Sequence, residues 1–357
     1  MLIVAGLNLK SLHPYVWDQE SPHYLPDLKA VMVSYADLTK QPAVKRRAMD
    51  GGLHKALGIP KHVQIYLDNG SFHFSLHGIE RDDSGYESFV RNASPDWKPI
   101  PHDVIPIPSM TIEEQQACFE QTMQVNRTFQ HDGYVPILHV SRALNRNLAL
   151  VQKDECLSQK SSVAIGGIVP HLLRTSRAHP HHEILDLLKN IRNAFPQKQM
   201  HLFGVGGNAT LHMAALIGMD SVDSSGWRNR AARGIVQLPG TGDRVVADLG
   251  AWKGRAPSEK EWKRLCDCPC PACCEDGLLG LKANKAAGFR HRATHNLWTL
   301  LQEARWIEEH RRDGDYLQLY DSHLENSIYR PLIDHLLQIG TDTSASPLAS
   351  QAEENRA

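Results

Sequence analysis

The sequence concentrates its thiol groups in one short stretch. Of the seven cysteines, five fall within nine positions: Cys266, Cys268, Cys270, Cys273 and Cys274. The run CPCPAC at 268–273 has the C-x-C-x2-C spacing of a metal site, and His295 follows at the start of a predicted helix. Three thiolates and one imidazole make a closed tetrahedral set, which predicts a structural zinc ion. The spacing leaves Cys266 and Cys274 open as alternative ligands.

Two aspartates stand at the ends of predicted strands. Asp68 follows VQIYL, and Asp223 follows MDSV. In a parallel barrel the C-terminal ends of the strands carry the chemistry, so the two carboxylates are expected to share one site. Such a pair can divide into a nucleophile and a general acid/base in glycosyl transfer. Taken singly, either aspartate also fits a turn or a helix cap.

The elements that must position these residues alternate along the chain. Candidate strands are Leu2–Ala5, Ala30–Tyr35, Val63–Leu67, Val104–Ile107, Val135–Val140, Ser162–Ile165, His201–Val205 and Asp220–Asp223. Helical patterns between them indicate the α/β class with a parallel sheet. Eight candidates favour a closed (β/α)8 TIM barrel over an open sheet.

Helix signals and a change of pattern suggest the domain organisation. Predicted helices are 111–127 with a Thr111–Glu114 capping box, one centred on Ile184–Ile191, 208–218, 294–310, and 321–339 with Pro331 at its start or at a kink. We predict a barrel over 1–250, an inserted or appended zinc-binding subdomain with closing helices over 251–339, and a disordered tail over 340–357.

Composition excludes several classes of protein. The 357 residues are 41% hydrophobic and 22% charged with a net charge of −1, as in globular proteins and unlike disordered or collagenous chains. No run approaches a membrane span, and the start lacks a clear leader, so we expect a cytoplasmic protein.

Between Ser224 and Arg264, nine basic residues stand against four acids. This stretch is either a solvated surface or a phosphate-binding face.

Five motifs in order resemble those of the tRNA-guanine transglycosylase superfamily. They are LDNGSFHF at 67–74, AIGGIVP at 164–170, HLFGVGG at 201–207, GMDSVDSSGWRNRAARG at 218–234, and CPCPAC followed by HNLW at 295–298. One such motif would be weak, but five in family order are specific. The resemblance implies a (β/α)8 barrel with a zinc subdomain, in agreement with the strand count and the cysteine spacing.

The resemblance also implies roles for individual residues. Asp223 would attack C1′ of the target nucleotide and form a covalent glycosyl-enzyme, and Asp68 would handle the proton of the leaving and incoming bases. Residues expected to contact the base are Phe72, His139, Gly166, Gly167, Asn69 and Ser71. From the charge of the stretch 224–264, separately from the resemblance, the residues expected to contact the nucleic acid are Arg228, Arg230, Arg233, Lys253 and Arg255. The target nucleotide must leave its stack to reach such a pocket.

Departures from the family pattern bear on the substrate. The tRNA enzymes usually carry an acidic base-reading residue after the strand predicted at Val104, whereas IPIP follows here. The family's GG-F-Q run is Gly70-Ser71-Phe72-His73 in LDNGSFHF, and the stretch from Ser224 to Gly234 lacks the Leu-Pro-Thr-Arg signature of the bacterial tRNA enzymes. We therefore predict a DNA-modifying branch that inserts a 7-deazaguanine such as preQ0 (the DpdA-like branch). The alternatives are a tRNA-guanine transglycosylase and a non-catalytic nucleic-acid-binding paralogue. Expected partners are DNA or tRNA, a 7-deazaguanine base, and a second copy of the chain or an accessory DNA-opening protein.

Overall fold

The computed structural model of the protein describes residues 1–342 apart from Asp132, Arg174, Ser176 and residues 250–253. Its strands are β1 Leu2–Gly6, β2 Ala30–Ser34, β3 Gln64–Asp68, β4 Ile137–His139, β5 Ser162–Gly166, β6 Gln199–Leu202, β7 Ser221–Ser224, β8 Ile235–Leu238 and β9 Gly242–Val245. Its helices are α1 Tyr35–Thr39, α2 Pro42–Gly51, α3 Leu53–Leu57, α4 Ser71–His77, α5 Asp83–Ala93, α6 Ile112–Thr128, α7 Arg142–Gln152, α8 Glu155–Gln159, α9 Val169–Leu172, α10 His181–Ala194, α11 Asn208–Ile217, α12 Gly226–Ala232, α13 Glu259–Cys266, α14 Pro271–Lys282, α15 Lys285–Asp313, α16 Tyr316–His323 and α17 Arg330–Asp342.

A curled, all-parallel sheet forms the centre of the molecule. Its seven strands run in the order β3-β2-β1-β7-β6-β5-β4, so the first strand pairs with the last. Leu2 stands opposite Ser221, and Val4 stands opposite Asp223. Helices cover the outer face because buried parallel strands need apolar cover on both sides. The predicted α/β class with a parallel, barrel-like sheet is confirmed.

A short extended segment closes the gap between β3 and β4. Trp97 forms an isolated parallel bridge with Tyr66, and Pro99 forms one with Val135. The Ile100 amide also donates to the carbonyl of Val135 at 3.1 Å. The segment takes the place of the eighth strand and completes the ring of strands, but it pairs through isolated bridges and not as a regular strand.

The predicted strand at Val104–Ile107 is wrong. Residues 104–107 are irregular, and the extended segment of the eighth position lies several residues earlier. Pro106 and Pro108 lack the amide hydrogens that a strand ladder requires. Because the extended segment lies earlier than predicted, Asp103 comes after it in the sequence. Asp103 is therefore placed at the edge of the sheet where the chemistry is expected.

The helices of the barrel follow their sequence signals closely. The capping box at Thr111 and Glu114 opens α6, and Gly218 ends α11 in the left-handed conformation. Helix α10 buries Ile184, Leu187, Leu188 and Ile191 against the core. Two helices of the C-terminal region differ from prediction. Helix α15 begins nine residues earlier than expected, and the helix predicted over 321–339 is split into α16 and α17.

The C-terminal region packs on the barrel through α15. This helix contacts α11, α12, α14 and β8. Leu238, Leu265, Leu281 and their neighbours form a separate buried cluster around the cysteines. The domain boundary at 250 stays a prediction. Residues 340–342 end α17 instead of opening a disordered tail, and residues 343–357 lie outside the described part of the chain.

A buried carboxylate fastens α15 to α11 and α16. Glu303 is 1% exposed, and its Oε1 accepts hydrogen bonds from His212 Nε2 at 2.7 Å and His323 Nε2 at 2.8 Å. Its Oε2 accepts from the amide of Gly240 at 3.1 Å. Burial alone would raise the pKa of Glu303, but the bonds from the two imidazoles outweigh it and lower the pKa to about 2. The cluster therefore holds an ionised group inside the helical layer.

Candidate active site

One large cavity opens at the C-terminal ends of the barrel strands. Its volume is about 840 Å³, which accommodates a nucleotide-sized ligand. The lining includes Asp68, Asp103, Asp223, His139, Gly166 and Gly167. Sequence reasoning predicted five of these six, and the structure brings them together from β3, β4, β5 and β7 as the parallel sheet requires.

Asp223 has one of its oxygens held by the backbone. The amide of Gly204 donates to Asp223 Oδ1 at 2.7 Å. Gly204 has φ +73°, and a Cβ there would lie 2.6 Å from Val169 Cγ2, so the loop after β6 needs glycine to present this amide. The Asp223 side chain is 14% exposed. It is thus a partly accessible carboxylate with a fixed orientation at the base of the cavity.

Asp68 lies in the same cavity in an environment that disfavours its charge. Burial raises its pKa from 3.8 to about 6, and the carboxylates of Asp103 and Asp223 act in the same direction. A side-chain hydrogen bond from Ser34 and the backbone of Gly70 oppose the rise without cancelling it. A carboxyl group with this pKa can hold and release a proton near neutral pH.

Asp103 is a pocket residue that the sequence reasoning missed. It is 3% exposed, Asn69 Nδ2 donates to its Oδ1 at 2.7 Å, and His139 Nε2 donates to its Oδ2 at 2.7 Å. Burial opposes its ionisation, but the bonds from His139, Asn69 and Ser71 outweigh burial and lower the pKa of Asp103. The expectation that no acid occupies this part of the pocket is therefore wrong.

Asn69 and Ser71 support Asp103. Asn69 Nδ2 also donates to the carbonyl of Ile100 at 3.0 Å, and its Oδ1 accepts from the amide of Ser71 at 2.9 Å. Ser71 Oγ accepts from the amide of Asp103 at 3.1 Å. Both side chains are buried. Although we expected these residues to contact the base, in the structure they hold the acid that lines the pocket.

His139, Gly166 and Gly167 form one wall of the cavity. His139 is 8% exposed, and its ring lies so close to Gly166 that a Cβ there would be 2.7 Å from His139 Nδ1. Gly167 has φ +77°, a conformation that favours glycine. Phe72 in α4 also lines the cavity and is 63% exposed. The two glycines add no side chains to this wall, so a ligand can approach their backbone, and Phe72 offers an exposed aromatic ring.

The predicted metal ligands converge in the C-terminal region. His295 Nδ1 is 3.5 Å from Cys268 Sγ, 3.6 Å from Cys270 Sγ and 3.4 Å from Cys273 Sγ. Tetrahedral zinc with its usual bond lengths separates sulfur and nitrogen ligands by about 3.5 Å. His295 Nε2 donates to the carbonyl of Gln237 at 2.9 Å, which directs Nδ1 toward the thiols. The four residues can therefore hold a metal ion such as zinc.

The two remaining clustered cysteines are outside this set. Cys266 and Cys274 are both exposed, whereas the three thiols that face His295 are buried. The spacing left Cys266 and Cys274 open as ligands, and the structure favours the three cysteines of CPCPAC with His295. Since this arrangement has four protein ligands, it offers no position for a substrate.

Two of the predicted nucleic-acid contacts have partners within the protein. Arg228 is 7% exposed, and its guanidinium donates to the carbonyls of Ser11 and His13 at 2.7 and 2.6 Å. Arg230 Nε donates to both oxygens of Asp243 at 2.7 and 2.8 Å. Arg255 is exposed, and Lys253 lies outside the described residues. The positive stretch is therefore less available to phosphates than its charge count suggested, and the role of Arg233 stays a prediction.

Comparison with known proteins finds relatives over most of the chain. The family model described as queuine tRNA-ribosyltransferase matches residues 110–328. A tRNA-guanine(15) transglycosylase of Pyrococcus abyssi is 24% identical over 83% of this chain and 49% of its own length. Proteins of the same name from Methanocaldococcus jannaschii and Haloferax volcanii are each 24% identical, over 82% and 85% of this chain and 44% and 57% of their own lengths. The chain thus spans about half the length of these curated relatives.

Proposed function

The chain belongs to the queuine tRNA-ribosyltransferase family, and from this premise we propose that it is a pentosyltransferase that exchanges guanine in a nucleic acid for another purine-like base. The observation that carries the proposal is the pairing of carboxylates in one cavity. Asp223 has one oxygen anchored by an amide, and Asp68 has a pKa of about 6. Nucleophile and proton carrier are the two roles that base exchange requires.

The reaction proceeds in two displacements at C1′ of the target nucleotide. A free oxygen of Asp223 attacks C1′ while the bond from C1′ to the base breaks, and protonated Asp68 gives its proton to the departing base. The incoming base then attacks C1′, the bond to Asp223 breaks, and Asp68 takes up the proton that the new base loses. One glycosidic bond replaces another, so no external energy source is needed.

The buried acid and the wall with the two glycines are suited to recognising the base. Asp103 is held ionised by His139, and a carboxylate accepts hydrogen bonds from the N1–H and 2-amino groups of guanine or a 7-deazaguanine. Gly166 and Gly167 allow the base plane to approach the backbone closely. The exposed ring of Phe72 is available for stacking on a base.

The nucleic acid that fits best is tRNA. The similar proteins are named as tRNA-guanine(15) transglycosylases. One ground for the prediction of DNA was the lack of an acidic base-reading residue, and Asp103 in the cavity removes that ground. DNA is the second candidate, supported by the departures in LDNGSFHF and by the missing bacterial signature after Asp223.

Zinc is the metal that suits the Cys3His cluster. Four protein ligands of this chemistry give a structural ion, which would tie the cysteine loop to α15. The ion would stabilise the fold and take no part in catalysis, since the cluster has no open ligand position. The described residues include no helix with the length and apolar character needed to cross a bilayer.

The test is incorporation of radiolabelled guanine into bulk tRNA and into duplex DNA. We expect label in tRNA with the wild type, none with Asp223→Ala, and wild-type incorporation with Asp313→Ala, whose exposed side chain bonds Arg312. A covalent protein–nucleic-acid adduct on a denaturing gel should likewise require Asp223. Label in DNA alone would support the second candidate, and undiminished exchange by Asp223→Ala would refute the nucleophile assignment.

A further inference from the structure

A histidine lies beneath the nucleophile inside the barrel. His201 projects from β6, its side chain is 2% exposed, and aromatic rings surround it. The ring centroids of Phe203, Trp97 and Tyr66 are 4.8, 5.1 and 5.5 Å from that of His201. A polar ring buried in such surroundings needs hydrogen-bond partners.

One ring nitrogen of His201 has a partner and the other faces the nucleophile. Nδ1 lies 2.9 Å from Ser221 Oγ. Nε2 lies 3.4 Å from Asp223 Oδ1 and has no hydrogen-bond partner among the described residues. Ser221 stands opposite His201 in the sheet register, so the backbone fixes this arrangement.

The charge of Asp223 assigns the tautomer of His201. A carboxylate oxygen favours a donor at the ring nitrogen that faces it, so Ser221 Oγ donates its hydrogen to Nδ1. Nε2 then carries the ring hydrogen, and it faces a carboxylate oxygen. The opposite tautomer would set a buried lone pair against Asp223 Oδ1, which is unfavourable.

On the basis of the function proposed above, we propose that His201 is a positioning residue for Asp223, with its Nε2–H as the second donor to Oδ1 beside the amide of Gly204. Contacts of this kind are often long in unliganded enzymes and shorten when substrate binds. With Oδ1 held by two donors, Oδ2 is the oxygen directed at C1′.

The two donors serve both displacements. In the first step Oδ2 forms its bond to C1′ as the base leaves with its electron pair and the proton from Asp68. Oδ1 becomes the carbonyl oxygen of the resulting ester. In the second step the C1′–Oδ2 bond breaks and its electron pair returns to Asp223, so negative charge develops on a carboxylate that already faces two donors.

Three substitutions of His201 distinguish a role in positioning Asp223 from a role in packing the barrel interior. The amide nitrogen of glutamine in His201→Gln can replace the Nε2 donor, whereas His201→Asn retains only a group near Nδ1, and His201→Leu retains neither. We expect kcat for base exchange to fall about 10- to 100-fold in the asparagine and leucine variants, as for loss of one hydrogen bond to a charged group. KM should change less than about twofold, and the glutamine variant should recover most of kcat. Equal kcat in the glutamine and asparagine variants would overturn the proposal, as would an effect confined to KM.

A measurement without turnover separates this inference from the proposed function. Nitrogen-15 NMR of the full-length protein, with the His201 signals assigned by comparison with His201→Gln, reports which ring nitrogen carries hydrogen. We expect the Nε2–H form in the wild type and a mixture in Ser221→Ala. A wild-type Nδ1–H form would overturn the positioning role. If the wild type shows Nε2–H but exchanges no base into any nucleic acid, the proposed function fails and the donor geometry stands.

Discussion

Replacing Asp68 by asparagine should stabilise the protein at neutral pH. Asp68 has its pKa raised from 3.8 to about 6 by burial and by the neighbouring carboxylates, so the folded state prefers the neutral form. Between pH 3.8 and 6 the folded state binds more protons than the unfolded state, and stability falls as pH rises through this window. At about 1.4 kcal/mol for each pH unit, the loss amounts to about 3 kcal/mol above pH 6. Asparagine mimics the neutral acid and avoids this loss.

The assay is urea unfolding of both proteins at several pH values. We expect Asp68→Asn to exceed the wild type by about 2–3 kcal/mol at pH 7.5 and by less than about 1 kcal/mol at pH 4, while base exchange is lost. Asp37→Asn is the matched control, because Asp37 lines the same cavity with a side chain that is 36% exposed. A gain of equal size at both pH values, or none at pH 7.5, would show that the carboxyl of Asp68 is not held in its neutral form.

Three other perturbations test separate parts of the structure. Stripping the metal with a chelator, or substituting Cys270→Ser, should speed amide hydrogen exchange in α14 before it changes in β1 and β2, and simultaneous loss would contradict a local structural role. Gly166→Ala should reduce exchange activity by about tenfold or more, because its Cβ would lie 2.7 Å from a ring nitrogen of His139; unchanged kinetics would show that the wall can yield. Glu303→Gln should destabilise the protein by about 3 kcal/mol in urea unfolding at pH 7, since it removes a buried charge that accepts three hydrogen bonds. Lowering the pH from 4.5 toward 2 should remove the same contribution in the wild type and not in the variant.

The sequence was sufficient wherever a local pattern determines the structure. Alternating β-branched runs predicted the seven regular strands to within two residues at most ends, because such runs pack on a buried sheet. The capping box at Thr111 and the glycine at 218 marked helix ends through local hydrogen bonds. The C-x-C-x2-C spacing and the HNLW helix identified four ligands that the fold brings together.

The sequence was insufficient where long-range contacts decide. The segment at Trp97 and Pro99 has no alternation and two nearby prolines, so only its neighbours in the ring make it extended. Placing the strand too late put Asp103 before it instead of after it, and the pocket acid was missed. The aspartate that follows the WKPIP run is the signal that could have identified it.

A charge count could not show which basic side chains have partners within the protein. A sum over 224–264 cannot reveal that Arg228 is bound to backbone carbonyls near the N-terminus, more than two hundred positions away. Nor can it reveal that Arg230 is neutralised by Asp243. The positioning role of His201 was equally invisible, because it depends on a nitrogen that only the barrel interior directs at Asp223.

The isolated bridges at Trp97 and Pro99 give the barrel wall unequal strength. Every other neighbour in the ring is joined by a ladder, while this position depends on a few backbone bonds. Asp103 follows this segment, so we expect the acid that faces the base to be attached to a part of the ring that opens more readily than the central ladder of β1 and β7. The amides of Trp97 and Ile100 should exchange with solvent sooner than those of β1 and β7. A base that binds to Asp103 should stabilise the segment at Trp97 and Pro99 and slow its amide hydrogen exchange. Exchange in this segment would then show whether the cavity holds a base.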